Sequence, residues 1–191
     1  MMPLIGVIAT DHKLFNQFSL VYSMQIRKAT ESEVGIISSI SKNEPFDWGY
    51  TLSPEWFTEQ MEKGDEFFLL TADSGTDVGY TSINDKLSDD VSKIVFLEAE
   101  EVNNLQDSGF LHMLGVHKDH NRKGYGSKLI QHGINQIKDR GKEHAYFFVY
   151  YKNNNALAIY LRKGFEIRGV APNLYGEGEH RILMRVDLAK N

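Results

Sequence analysis

The chain predicts an α+β fold with a mixed β-sheet, on three observations. Short apolar or alternating runs bounded by Gly, Asp and Asn recur as strands, and stretches with apolar residues at helical spacing lie between them. The strands come singly, in pairs and around helices, which is the pattern of a mixed sheet. At 191 residues, with 41% hydrophobic and 12% aromatic content, one sizeable core and one domain are expected.

The elements follow in order. "MMPLIGVIAT" is apolar but short, lacks a basic leader and runs into Asp11, His12 and Lys13, so neither a signal peptide nor a membrane span is expected. Residues 1–23 are read as an amino-terminal extension, either extra packed elements or the product of an upstream start codon, and residues 24–191 as the domain. Gln25 to Lys28 reads as a short strand, and a helix follows that is capped at Thr30 with Glu33 three residues on. "SPEWFTEQMEKG" is a helix with Pro54 in its first turn and Gly64 past its end. "EFFLLTA" and "DVGYTSIND" are strands around the turn "DSGTD". "SKIVFLEAE" is a further strand candidate, and "EEVNNLQDSG" reads as a polar loop. "FLHMLGV" is a strand, Gly124 to Arg140 a helix stopped by Gly141, and "HAYFFVYY" an aromatic strand. "NNNALAIYLRKG" is a short helix, and "FEIRGVA" and "HRILMRVDL" close the chain as strands around "PNLYGEGE".

Composition excludes several function classes. Lys and Arg number 21 against 26 Asp and Glu, a net charge of −5, which argues against general nucleic-acid or anionic-membrane binding. No cysteine is present, so there is no disulfide, thiolate metal site or cysteine nucleophile, in keeping with a cytoplasmic protein. His117 and His120 have no third ligand near them in sequence, so no metal is expected there.

Against that acidic balance, "HNRKGYGSKLI" gathers cations and two glycines where a helix begins. A helix opening on Gly-x-Gly presents bare amide N–H groups and the positive end of its dipole, which suits a pyrophosphate. A dinucleotide fingerprint would need glycine where Leu129 stands, and the Gly-Lys-Ser/Thr ending of a P-loop is absent, so both nucleotide readings fail. Two readings of Gly124 and Gly126 remain: a phosphate cradle, or a helix that starts tightly against the sheet. A second motif bears on the choice. Asn153, Ala156, Tyr160, Gly164 and Phe165 stand at offsets of three, four, four and one, with Ala156 and Tyr160 on one helix face and Gly164 as its stop.

Here the sequence resembles the GNAT family of acetyl-CoA-dependent N-acyltransferases. The family's Val, then Arg or Gln, two residues, Gly, any residue, Gly or Ala reads here as Val116, Asn121, Arg122, Lys123, Gly124, Tyr125, Gly126. The later pattern is matched from Asn153 through Phe165, and the resemblance spans about Gln25 to Leu188. It departs at Asn121, which is shorter than the usual Arg or Gln. What it implies is a mostly antiparallel sheet of about seven strands flanked by helices and splayed between the fourth and fifth strands. Arg122 to Ser127 would hold the pyrophosphate of coenzyme A by their amides, with Asn121 beside them. The pantetheine arm would run along Leu114, Gly115 and Val116. Asn153 would bond to that arm or to adjacent backbone, Ala156 would share its helix, and Tyr160 would lie near the sulfur.

Acetyl transfer needs a neutral amine, a donor for the oxyanion and a proton for the leaving thiolate. The Leu114 backbone N–H is the oxyanion candidate. Tyr160, with an ordinary phenol pKa near ~10, is the acid candidate. His112, two residues from Leu114 on a strand, is expected on the same face as Leu114 and Val116, either as a base looking into the cleft or as a satisfied core histidine. Tyr150 acting through water is the rival base. Phe148 stands where relatives that acetylate protein amino termini often carry an acid or histidine.

The acceptor walls in the family are a loop between the first two helices and the final hairpin. Here they carry Phe46, Asp47, Trp48 and Tyr50, and Tyr175 with Glu177 and Glu179, which suit a cationic amine or a peptide amino terminus. "GFEIRGVAPNLYGEGEH" is similar to the corresponding region of ribosomal-protein and peptide N-terminal acetyltransferases. The expectation is therefore an acetyl-CoA-dependent N-acetyltransferase, with a catalytically silent acyl-CoA-binding module as the alternative. The family also allows a homodimer.

Overall fold

The computed structural model describes residues 23–44, 52–87, 91–97 and 99–190. Among these, seven strands form one sheet in the order β1-β2-β3-β4-β5-β7-β6. The strands are β1 (Gln25–Lys28), β2 (Glu66–Thr71), β3 (Asp77–Asn84), β4 (Gly109–Val116), β5 (His144–Tyr150), β6 (Glu166–Ala171) and β7 (Arg181–Asp187). Neighbours run antiparallel except β4 and β5, which are parallel. That parallel pair is joined only at Gly109↔Ala145, Phe110↔Tyr146 and Leu111↔Phe147, and beyond Leu111 the two strands part. The mixed, mostly antiparallel sheet with a splay at its centre is therefore present as expected.

Among the described residues, five α-helices cover the sheet: α1 (Val34–Lys42), α2 (Pro54–Glu62), α3 (Ala99–Gln106), α4 (Tyr125–Asp139) and α5 (Asn154–Arg162). Local chemistry explains their ends. The Glu33 carboxylate accepts the Thr30 backbone N–H at 2.9 Å ahead of a 3-10 turn that leads into α1. Ser53 Oγ accepts from Trp56 N–H at 3.3 Å, with Pro54 opening α2.

Two apolar layers result. On one face, α4 and α5 bury Ile130, Ile134, Ile137 and Tyr160 against Leu111, Ala145, Val149 and Met184. On the other, α1 and α2 bury Ile37, Ile40 and Phe57 against Phe67, Leu69 and Tyr80. Each fully buried side chain of this size contributes roughly 1.5–3 kcal/mol.

Two local expectations are corrected. The segment 92–100 forms no extended strand: Val91–Lys93 is a 3-10 turn, Val95 makes a single bridge to Val170, and Ala99 already begins α3. The stretch read as a polar loop is most of α3. Its inward side carries Leu105 and Glu101, and Glu101 accepts from Tyr146 Oη and Arg185 Nη1, each at 2.5 Å. A helix whose buried stripe includes a carboxylate looks polar all round until its buried partners are known.

His132 on α4 lies edge-on to Phe68, ring centroids 4.7 Å apart, and burial pushes its imidazole below the usual histidine range. The folded protein therefore binds this proton less readily than the unfolded chain. Its contribution to stability is complete above about pH 6.5 and is lost as pH falls through the lowered value. We expect His132→Leu to melt at a higher temperature than the parent at pH 5 and to lose that advantage at pH 8, measured by thermal circular dichroism. A difference independent of pH would rule this origin out. Among the described residues, no helix is long and apolar enough to cross a membrane.

Candidate active site

Where β4 and β5 separate, a cleft of about 490 Å³ opens between the two faces of the sheet. Leu111, Leu114 and Phe147, which pack toward α4 and α5, line it together with Tyr80, His112, Met113 and Phe148 from the opposite face. Glu44, Trp56, Tyr175 and Arg181 stand around it.

On the α4 side, the loop after β4 turns through Arg122 (φ +58°) and Gly124 (φ +79°) into the first turn of α4. The N–H groups of Arg122, Lys123, Gly124, Tyr125, Gly126 and Ser127 meet no acceptor among the described residues, and the first intrahelical bond runs from Lys128 N–H to Gly124 C=O at 3.1 Å. Six successive amides around a helix amino terminus are therefore left open, with exposed Arg122 and Lys123 beside them and half-buried Asn121 before them. A Cβ on Gly126 would meet only Val116 Cγ2, at 4.0 Å, so the ground above these amides is open. Tyr125 packs with Val116 and Leu114 against the core around Leu129.

Asn153 Oδ1 caps α5 by accepting from Ala156 N–H at 3.1 Å. One turn later Tyr160 is buried, its ring stacked on Phe147 at 4.6 Å and edge-on to Phe165 at 5.1 Å. Burial pushes its phenol well above the usual range, so it stays protonated. Its hydroxyl has no hydrogen-bond partner among the described residues, an arrangement that costs roughly 1–3 kcal/mol. Tyr160 does not itself line the cleft; Phe147, lying on it, does.

His112 requires a correction. It does not share a face with Leu114 and Val116, because β4 bulges there: Ile83 pairs with Leu111 and Ser82 with Met113, leaving His112 as the extra residue. The bulge sets His112 beside Met113 on the α1/α2 face and leaves Leu114 and Val116 on the other. His112 Nδ1 lies 2.6 Å from Oδ2 of Asp65, a buried carboxylate that no local sequence pattern marks.

The acceptor end also differs from expectation. Phe46, Asp47, Trp48 and Tyr50 lie outside the described residues. The Arg181 guanidinium lies 4.8 Å from the ring centres of both Tyr150 and Tyr175 and pairs with Glu179 at 3.0 Å. The charge of Glu179 is thus directed at Arg181, and Tyr150 does not line the cleft. Glu44, unnoticed in the sequence, supplies a carboxylate instead: it accepts from Tyr80 Oη at 2.8 Å above β4. Gly115 is required beneath it, since a Cβ there would overlap that carboxylate. Among the described residues no group of three or more metal-ligating side chains occurs.

The model of the acetyltransferase (GNAT) family matches residues 35–165. The chain belongs to the GNAT family. Solved structures share its GNAT fold at low identity. The ribosomal-protein-S18-alanine N-acetyltransferase from Escherichia coli superposes with a TM-score of 0.66 at 18% identity, covering 86% of this chain and 94% of that one. The protein yncA from Salmonella typhimurium, solved with its cofactor acetyl-CoA, gives 0.62 at 19% identity over 87% and 95%. A spermidine N-acetyltransferase SpeG chimera from Vibrio cholerae and hSSAT gives 0.65 at 14% identity over 88% and 98%. In GNAT terms, the open amides of α4, the glycine that leaves them uncovered and the Tyr160 hydroxyl, which has no partner among the described residues, fit acetyl-CoA.

Proposed function

We propose that this chain moves an acetyl group from acetyl-CoA to a primary amine by direct transfer in a ternary complex. The observation that carries this reading is the cradle of six amides beside a cleft that opens through the sheet at the β4–β5 splay. Acetyl-CoA supplies the thioester. Arg122 to Ser127 hold its pyrophosphate, and Leu114, Gly115 and Val116 flank the arm. The Leu114 N–H serves as oxyanion donor. His112 takes the proton from the acceptor ammonium, and Tyr160 holds a proton at Oη for the departing sulfur.

The acceptor is a cationic amine, at a peptide or protein amino terminus or on a small molecule. The Glu44 carboxylate supports this, together with the aromatic rings of Trp56, Tyr80 and Tyr175 around the cleft. The tyrosine-bearing hairpin favours a peptide amino terminus.

Calorimetric titration with acetyl-CoA, with NAD and ATP as controls, tests the first step. Saturable binding of acetyl-CoA alone is expected. Thiol release is then followed with a peptide bearing a free N-terminal alanine and with spermidine. A folded sample that binds no acetyl-CoA would sink the proposal.

A further inference from the structure

Asp65 follows the stop of α2. Gly64, at φ +103°, turns the chain back, Asp65 N–H donates to Gln60 C=O at 3.0 Å, and the side chain comes to rest buried beneath β3 and β4. Three groups meet its carboxylate: Ser82 Oγ at 3.1 Å, Asn84 Nδ2 at 2.8 Å and His112 Nδ1 at 2.6 Å.

Among the described residues, neighbouring backbone groups orient two of these three partners. Met113 N–H donates to Ser82 Oγ at 3.1 Å, so the hydroxyl proton of Ser82 is turned toward Asp65. Asn84 Oδ1 accepts from Lys86 N–H at 2.9 Å, which sets the amide so that its NH₂ faces Asp65. A carboxylate is an acceptor only, so an ionised Asp65 that already accepts from Ser82 and Asn84 takes its third short contact as a donation from His112 Nδ1. A neutral imidazole with its proton on Nδ1 is basic at Nε2. His112 is also the first residue of β4 beyond the last β4–β5 pair, and it lines the cleft.

We propose that Asp65 is a positioning residue for acetyl transfer: it holds His112 as the Nδ1–H tautomer, so that Nε2 is the basic atom offered to the acceptor amine. This rests on the acetyl-transfer reading above and on His112 as its base. The β4 bulge is part of the device, because strict alternation would set His112 on the face of Leu114 and Val116, away from Asp65.

The test begins on the unaltered protein labelled with ¹⁵N-histidine, at a pH where the ring is neutral, with His112→Gln assigning the signal. His112 is expected as the Nδ1–H tautomer in the parent and as Nε2–H, or a mixture, in Asp65→Asn. Finding Nε2–H in the parent overturns the proposal, and that measurement stands whether or not a variant folds. In thiol-release assays with the alanine peptide and spermidine, Asp65→Asn should lower kcat by about 10- to 100-fold with little change in KM for acetyl-CoA. In the His112→Gln background it should cost nothing further. Equal losses in the two backgrounds would assign Asp65 a purely structural role and overturn the proposal. The two readings fail differently. Absent acetyl-CoA binding removes the transfer reading and this inference with it, whereas normal turnover with the opposite tautomer removes this inference alone.

Discussion

Gly126→Glu is expected to abolish acetyl-CoA binding while leaving the protein at least as stable as before. Gly126 is the second residue of α4, and a Cβ there touches only Val116. Glutamate replaces the weakest ordinary helix former in a half-buried first turn with open space above it, where a negative charge also favours the helix dipole, so roughly 0.5–1.5 kcal/mol of stability should be gained. The same carboxylate would take up the open amides of Arg122 to Ser127 and repel a pyrophosphate. Like-charge juxtaposition costs several kcal/mol, so affinity should fall by about 100-fold or more. Gly124 is a poorer choice for this test, since at φ +79° any side chain strains the backbone by roughly 1–2 kcal/mol. Calorimetry paired with thermal melting reads both halves. Undiminished acetyl-CoA affinity in a folded variant would show that the two glycines serve only the packing of the helix start.

Tyr160→Phe separates catalysis from architecture in the same way. The ring is held by Phe147 and Phe165, which phenylalanine would satisfy equally, and the hydroxyl that is lost has no partner among the described residues. The melting temperature should therefore stay the same or rise, because a buried unsatisfied hydroxyl costs roughly 1–3 kcal/mol. Loss of a general acid slows a reaction by about 10²- to 10⁴-fold, and that loss is expected in kcat with acetyl-CoA affinity nearly unchanged. Unaltered turnover would remove Tyr160 from the mechanism. An acetyl-CoA-binding protein that shows no turnover with any amine, in either form, would instead be the silent sensor module.

Much of the fold is legible because its signals are local. The Ser53–Pro54 start of α2, the apolar stripe of α4 and the Asn153 cap of α5 each depend on residues within one or two turns of chain. α3 escaped because Glu101 lies on its buried side, stabilised by Tyr146 and Arg185, which are 45 and 84 residues away. Hydrophobic periodicity cannot register a buried carboxylate whose partners are that remote.

The two motifs proposed to hold acetyl-CoA were readable for the same reason. Free amides at a Gly-x-Gly helix start, and the helix face shared by Ala156 and Tyr160, follow from backbone geometry over a dozen residues. The acceptor side was not. Whether His112 lies with Leu114 or opposite it is decided by one bulge in the pairing of β3 with β4, and pairing register belongs to two strands at once. Asp65, Ser82, Asn84 and His112 span 47 residues and meet only when α2, β3 and β4 are packed. Sequence alone thus determined the family, the Gly-x-Gly start of α4 and the Asn153 cap of α5. Tertiary structure decided that Glu44 lines the cleft and that Asp65 lies against Nδ1 of His112, because hydrogen-bond partners and burial are set by contacts the chain makes with its own distant parts.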